Sequence, residues 1–334
     1  MTRAETRGLE APDPLLEEEL RARLNDVEAT LEKSVRSDTD FVTEAASYLV
    51  AAGGKRFRPL LVLLAGHFGD PSDPRLVQGA TAIEITHLAT LYHDDVIDEA
   101  ETRRGRPSVN SRWDNTVAIL TGDFLFAKAS EISSDLGTDV TRLLARTIAI
   151  LSDGQICEVD GAGRLDQTEG AYMEIIRRKT ATLIATSCRL GGMLSDAPQE
   201  TVELLDDYGL ALGMAFQLSD DIMDVTSTEE ELRKEPGQDM REGVYTLPVL
   251  YALRDGEAGD ELASLLAEGP PSGARLSSAL DLVRRDGSLA QARGAVTAEV
   301  RRAKHLASGL PAGRARAALV HIAEFIAARC SADV

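Results

Sequence analysis

Cysteine and aromatic residues are both scarce. Phe, Trp and Tyr make up 4% of the 334 residues, and Cys157, Cys188 and Cys330 are the only thiols. Three cysteines, odd in number and not spaced like a zinc site, argue against a disulfide framework and fit a reducing cytoplasm. Long apolar runs are missing. The opening MTRAETRGLEAPDP has no signal-like apolar core, and Pro59 to Ala65 is far too short to cross a bilayer. Positive charge is in deficit, with 36 Lys and Arg against 55 Asp and Glu, a net −19 with His neutral. Nucleic acid needs a basic surface, so it is not an expected partner. There is no alternating strand, no β-hairpin signal, no short repeat and no Gly-rich phosphate loop.

What is present favours helices. Apolar residues are 43% and charged residues 27%, ordinary for a globular chain, and the abundant Ala and Leu are strong helix formers. Residues 1–13 read as a flexible tail. Beyond Pro14, Leu15, Leu20, Leu24, Val27, Leu31 and Val35 approximate a helical stripe. Gly53-Gly54 interrupts the next helix, Pro59 suits a first turn, and 76–97 is apolar with helical period. A loop is expected at 103–107, then helices near 114–135, 138–160, 168–196, 199–225, 244–254 and 314–330. The 268–274 stretch reads as an interhelical loop. These features predict an all-α fold, roughly a dozen helices in one bundle over 14–334.

Two acidic strings stand out, Asp94-Asp95-Val-Ile-Asp98 and Asp220-Asp221-Ile-Met-Asp224. On a helix, Asp94 and Asp98 share one face, as do Asp220 and Asp224. Two carboxylates ~5 Å apart repel by about 3 kcal/mol at an effective dielectric of about 20. Partly enclosed, they need cations or raised pKa values. Mg²⁺ takes oxygen ligands and binds readily through a few carboxylates plus substrate phosphate. One such string reads equally as a solvated helix end; two, each after an apolar helical segment, favour a metal–diphosphate site.

Basic residues cluster near these strings: Gly53-Gly54-Lys55-Arg56-Phe57-Arg58-Pro59, Arg103-Arg104-Gly105-Arg106, Lys179-Thr180, and Lys234. Arginine forks suit phosphate, and glycine permits close backbone approach. His87 lies seven residues, about two turns, before Asp94. His93 adjoins the first string and reads as structural; His67, His305 and His321 belong to no constellation.

The chain clearly resembles the trans-isoprenyl diphosphate synthases, or polyprenyl synthetases, from about residue 40 to 330. GGKRFRP, EITHLATLYHDDVIDEAETRRGRPSVN, GDFLFAKA, YMEIIRRKTATLIATSCRLGG, FQLSDDIMDV and KEPGQDMREGVYTLPVL carry the resemblance by their order and spacing. It implies an all-helical prenyltransferase domain around a central cavity, in a homodimer. It implies that Lys55, Arg58 and His87, with Arg104, hold isopentenyl diphosphate. Asp94, Asp98, Asp220 and Asp224 would bind Mg²⁺. Arg103, Lys179, Thr180, Gln217 and Lys234 would contact the allylic diphosphate. Two departures are visible: Arg233 precedes Lys234 where Gly is frequent, and Tyr245 stands where many members carry Lys, which leaves one diphosphate contact open.

The implied reaction ionises an allylic diphosphate, adds the alkene of isopentenyl diphosphate and loses a proton. Ala89 lies five residues before Asp94, about 7–8 Å down the helix, and with Thr90 forms a small pair that implies a long product, about seven to ten isoprene units. Such chains commonly become quinone side chains. The alternatives are a short-chain farnesyl or geranylgeranyl diphosphate synthase, a terpene cyclase, which the second acidic string disfavours, and a regulatory subunit without activity, which two intact strings disfavour.

Overall fold

The computed structural model describes residues 11–227, 236–285 and 287–331; Lys234 lies outside them. Helix α1 (Pro14–Ser34) opens on Asp13, whose carboxylate accepts the backbone N–H groups of Leu15 and Leu16 at 3.1 and 2.9 Å. Its buried stripe is Leu16, Leu20, Val27 and Leu31, continued by Val35. Leu15, expected on that stripe, is 64% exposed. Steps of four and three from Leu16 keep one face, and Leu15 falls about 100° away from it.

Helices α2 (Asp40–Ala51), α3 (Phe57–Gly66) and α4 (Arg75–Ile97) follow. Pro59 does fall in the first turn of α3. The expected loop at 103–107 closes as a small hairpin instead. Thr102–Arg103 (β1) pairs antiparallel with Arg106–Pro107 (β2), across Arg104 and Gly105 at φ 53° and 73°. Two central residues with positive φ give the turn whose twist suits paired strands, and one of them is an arginine, so no Asn-Gly or Asp-Gly signal marked it.

The chain continues through α5 (Val109–Arg112), α6 (Asn115–Asp135), α7 (Thr138–Gly161) and α8 (Glu169–Ile176). The helix expected over 168–196 is not one α-helix. A π-turn, Arg177–Ala181, separates α8 from α9 (Thr182–Leu194). Then come α10 (Gln199–Thr226), α11 (Gln238–Arg241), α12 (Leu247–Ala252), α13 (Gly256–Ala267), α14 (Gly273–Arg285), α15 (Gly287–Ser308) and α16 (Arg314–Ser331). The fold is all-α as expected, and 268–274 lies largely in the connection between α13 and α14.

The chain packs as two compact units. One comprises Met1–Ile148, Leu183–Gly209 and Ala307–His321; the other comprises Ala149–Thr182, Leu210–Leu306 and Ile322–Val334. In the first, α4 is buried along nearly its whole length and packs against α1, α3 and α6. Its apolar cluster includes Leu31, Leu49, Ile85, Leu88, Ala89, Tyr92 and Leu125. Gly191 of α9 lies so close to α3 that a Cβ would sit 2.2 Å from the Val62 carbonyl oxygen. In the second unit, α14 packs against α12 and α13, and Gly213 of α10 sits against Ala181 of the π-turn. No helix among the described residues is long and apolar enough to cross a membrane.

Candidate active site

The first acidic string occupies the C-terminal end of α4, where the helix dipole is negative and no basic residue stands in the last turn. Asp98 is the C-cap, its N–H donating to the Asp94 carbonyl at 2.8 Å. Asp94 and Asp98 are half-buried, whereas Asp95 is fully buried. Arg103 Nε donates to Asp95 Oδ1 at 2.6 Å, while Oδ2 is buried and, among the described residues, has no hydrogen-bond partner. Burial pushes the Asp95 carboxyl up, against the pull of Arg103. The middle aspartate thus anchors the string through the arginine that the resemblance gives to the allylic diphosphate.

The predicted isopentenyl diphosphate residues gather in the same unit. Lys55 is exposed and Arg58 half-buried at the start of α3. Arg104 reaches back across the turn, donating from Nη1 to the Leu49 carbonyl at 3.1 Å and to the Gly53 carbonyl. His87 sits in the field of Arg58, Arg104, Arg103 and Arg56; burial first, then those cations, hold its pKa well below the ordinary value. His87 is therefore neutral at pH 7 within a cationic basin suited to a diphosphate.

That shift has a consequence for stability. An unfolded-chain histidine titrates near 6.5, and folded His87 well below it, so in between only the unfolded chain takes up the proton. Stability should fall as pH drops below about 6.5, by up to about 1.4 kcal/mol per pH unit for one such group. His87→Gln should flatten that part of the profile in denaturant unfolding at stepped pH. Some slope should persist, because burial lowers His67 in the same direction.

The second string lies in the last two turns of α10, again a negative helix end without a basic residue in its last turn. Asp221 is buried and Asp220 half-buried. The Asp221 carboxylate accepts the Tyr172 hydroxyl and, at 2.8 Å, Gln217 Nε2. Thr180 donates to Gln217 Oε1 at 2.8 Å, so the π-turn is wired to the acidic string. Burial, then the charges of Asp239, Asp224 and Glu158, push the Asp221 carboxyl well up. Lys179 Nζ pairs with Glu158. Asp224 accepts the Asp239 N–H at 3.3 Å. π-turns often occur at functional sites, and this one carries both Lys179 and Thr180.

Sequence reasoning missed several neighbours. Arg329 of α16 pairs with Asp220 Oδ1 at 2.8 Å and lies over the Phe216 ring. Tyr172, Glu158 and Arg329 stand 49, 21 and 109 residues from the partners they meet, and no local motif announces such pairs. Tyr245 is 2% exposed, with its hydroxyl buried and, among the described residues, without a hydrogen-bond partner. It belongs to the packed interior, and Lys234 lies outside the described residues.

The chemistry of each acidic string fits a divalent cation. Each string by itself places carboxylate oxygens at a negative helix end; among the described residues Asp95 Oδ2 is buried without a hydrogen-bond partner in the first, and Asp221 is crowded by like charges in the second. Among the described residues no three acidic, His or Cys side chains cage a metal by themselves; hard cations such as Mg²⁺ routinely keep waters and take substrate phosphate as ligands.

Comparison with known proteins agrees with this chemistry. A heptaprenyl diphosphate synthase component 2 from Geobacillus stearothermophilus is 41% identical over 305 residues, 91% of this chain and 94% of the relative. A nonaprenyl diphosphate synthase from Mycobacterium tuberculosis is 42% identical over 320 residues, 94% and 95% of the two chains. A geranylgeranyl pyrophosphate synthase from Corynebacterium glutamicum, crystallised with calcium and isoprenyl diphosphate, superposes with TM-score 0.85 at 41% identity, covering 96% of this chain and 99% of that one. Residues 39–283 match the polyprenyl synthetase family. This chain therefore belongs to the polyprenyl synthetase family and is a prenyltransferase.

Proposed function

We propose that the protein is an all-trans-polyprenyl diphosphate synthase, condensing isopentenyl diphosphate head-to-tail with an allylic diphosphate to give a long-chain product for a quinone side chain. The observation that carries this reading is the pair of aspartate strings at negative helix ends, one of them beside an arginine basin around a neutral histidine. Small side chains at Ala89 and Thr90 and the long-chain relatives support the product length.

In this reading Asp94, Asp98, Asp220 and Asp224 hold Mg²⁺. When bound, the metal neutralises the leaving diphosphate and stabilises the charge developing on it. Arg103, Lys179 and Lys234 add positive charge to the diphosphate oxygens, and Thr180 and Gln217 orient them. Lys55, Arg58 and Arg104 grip the isopentenyl diphosphate. His87, neutral, orients that group by hydrogen bonding without adding charge. The allylic C–O bond breaks, the alkene carbon bonds to the allylic carbon, and a proton passes from the adjacent carbon to the departing diphosphate. The protein's part is alignment and the exclusion of water.

The free thiols Cys157, Cys188 and Cys330 support a cytoplasmic setting, and exposed Ile119 and Leu120 on α6 support pairing with a second copy. The test is incubation of purified protein with Mg²⁺, labelled isopentenyl diphosphate and allylic primers of several lengths, with products weighed by mass spectrometry. Long chains are the expected result. Condensation that stops at farnesyl or geranylgeranyl length would favour the short-chain reading, and no condensation with any primer would sink the proposal.

A further inference from the structure

The middle basic residue of the Gly53–Pro59 segment faces inward. Arg56 is 6% exposed and sits at φ 46°, ψ 37°, immediately before α3. A residue with a Cβ adopts that left-handed conformation only when its surroundings hold it there. The holding groups are two carboxylates and a carbonyl. Nε and Nη2 grip Glu28 of α1 at 2.5 and 3.1 Å, Nη1 meets Glu84 of α4 at 2.8 Å, and Nη2 also reaches the Val50 carbonyl of α2 at 3.3 Å. One side chain thus ties α1, α2 and α4 to the start of α3.

The ends of this tie are informative. Lys55 precedes Arg56, and Arg58 follows two residues later. Glu84 is buried and lies three residues before His87 on α4, within the spacing that places two side chains on one helix face. Gly54 packs against both inward arginines: a Cβ there would lie 3.1 Å from Arg56 Nη1 and 3.2 Å from Arg104 Nη1. Arg104, in turn, bonds the Gly53 carbonyl. The two basic turns interlock at Gly53-Gly54. With two carboxylates on its guanidinium, Arg56 offers a diphosphate little net attraction. Its contribution is geometric: if φ relaxed to the ordinary negative range, the chain carrying Lys55 would swing relative to Arg58.

We propose that Arg56, acting through Glu84 and Glu28, is a positioning residue that sets Lys55 and Arg58 against His87 for isopentenyl diphosphate without touching it. This rests on the isopentenyl diphosphate site proposed above.

The test is Arg56→Lys, which keeps the charge but loses the planar fork. The expected result is a rise of roughly tenfold or more in KM for isopentenyl diphosphate, with kcat and the KM of the allylic primer within about threefold of wild type. The calorimetric Kd for isopentenyl diphosphate alone should rise in parallel. The double variant with Glu84→Gln should raise KM by less than the product of the two single fold-changes, because both cut the same tie. Unchanged KM in a folded Arg56→Lys variant overturns the proposal. So does a uniform loss in kcat and both KM values that tracks a lowered Tm, the mark of a merely structural arginine. Should Arg56→Lys not fold, Glu28→Gln replaces it: its partly exposed side chain is the milder cut, with an expected KM rise of about threefold, and no rise overturns the proposal. Wild-type protein that neither binds nor condenses isopentenyl diphosphate overturns the functional reading, and this inference with it.

Discussion

Asp94→Asn should lower kcat by roughly 10³-fold, about 4 kcal/mol of transition-state stabilisation, while moving the thermal midpoint little. Asn keeps the size of the side chain and removes one negative charge from a half-buried site at the negative end of α4. Helix formation does not need that charge; in the proposed mechanism metal binding does. The apparent Mg²⁺ requirement should rise with the loss of activity. Asp95→Asn, one residue along, should behave in the opposite way. Its carboxylate is fully buried and bonded to Arg103, so the change should cost about 1–3 kcal/mol of stability at a smaller cost to metal affinity. Rates and unfolding curves for both variants check the assignment. An Asp94→Asn enzyme with wild-type kcat would remove Asp94 from the metal site.

Bulk added below the first acidic string should shorten the product, and its position should reveal which side of α4 the growing tail follows. At 100° per residue, Thr90 lies about 40° around the helix from Asp94 and Ala89 about 140°. Thr90 is half-buried; Ala89 is fully buried in the cluster with Leu88, Tyr92, Ala118 and Leu125. Ala89→Phe therefore has to displace packed neighbours, at about 1–3 kcal/mol, whereas Thr90→Phe has more room. Both should shift the products toward farnesyl and geranylgeranyl lengths by mass spectrometry, with Ala89→Phe also lowering Tm. If only Thr90→Phe shortens the chain, Ala89 is a packing residue and the tail runs along the Asp94 face.

Much of this architecture was legible because it is written in period and order. The apolar approach to each acidic string marked the ends of α4 and α10, and Pro59 marked the first turn of α3. The directions of individual side chains were not legible. Lys55, Arg56 and Arg58 look alike in sequence, yet Arg56 turns inward because Glu28 and Glu84, each 28 residues away, wait for it. The hairpin at 102–107 escaped notice because an arginine occupies one of its positive-φ positions. The choice of Leu16 over Leu15 on α1 depends on one residue of phase, finer than a spacing of three to five resolves. Arg329 meets Asp220 only through tertiary packing.

The π-turn at Arg177–Ala181 works as a phase shifter. It carries one more residue than an α-helix of the same advance, a surplus worth about 100° of helical phase. Within this segment neighbouring Lys179 and Thr180 serve different partners, Glu158 and Gln217. Chain length, more than residue identity, sets their aim. Deletion of Ala181 would leave two good helices and both Lys179 and Thr180 present, but the pair misdirected.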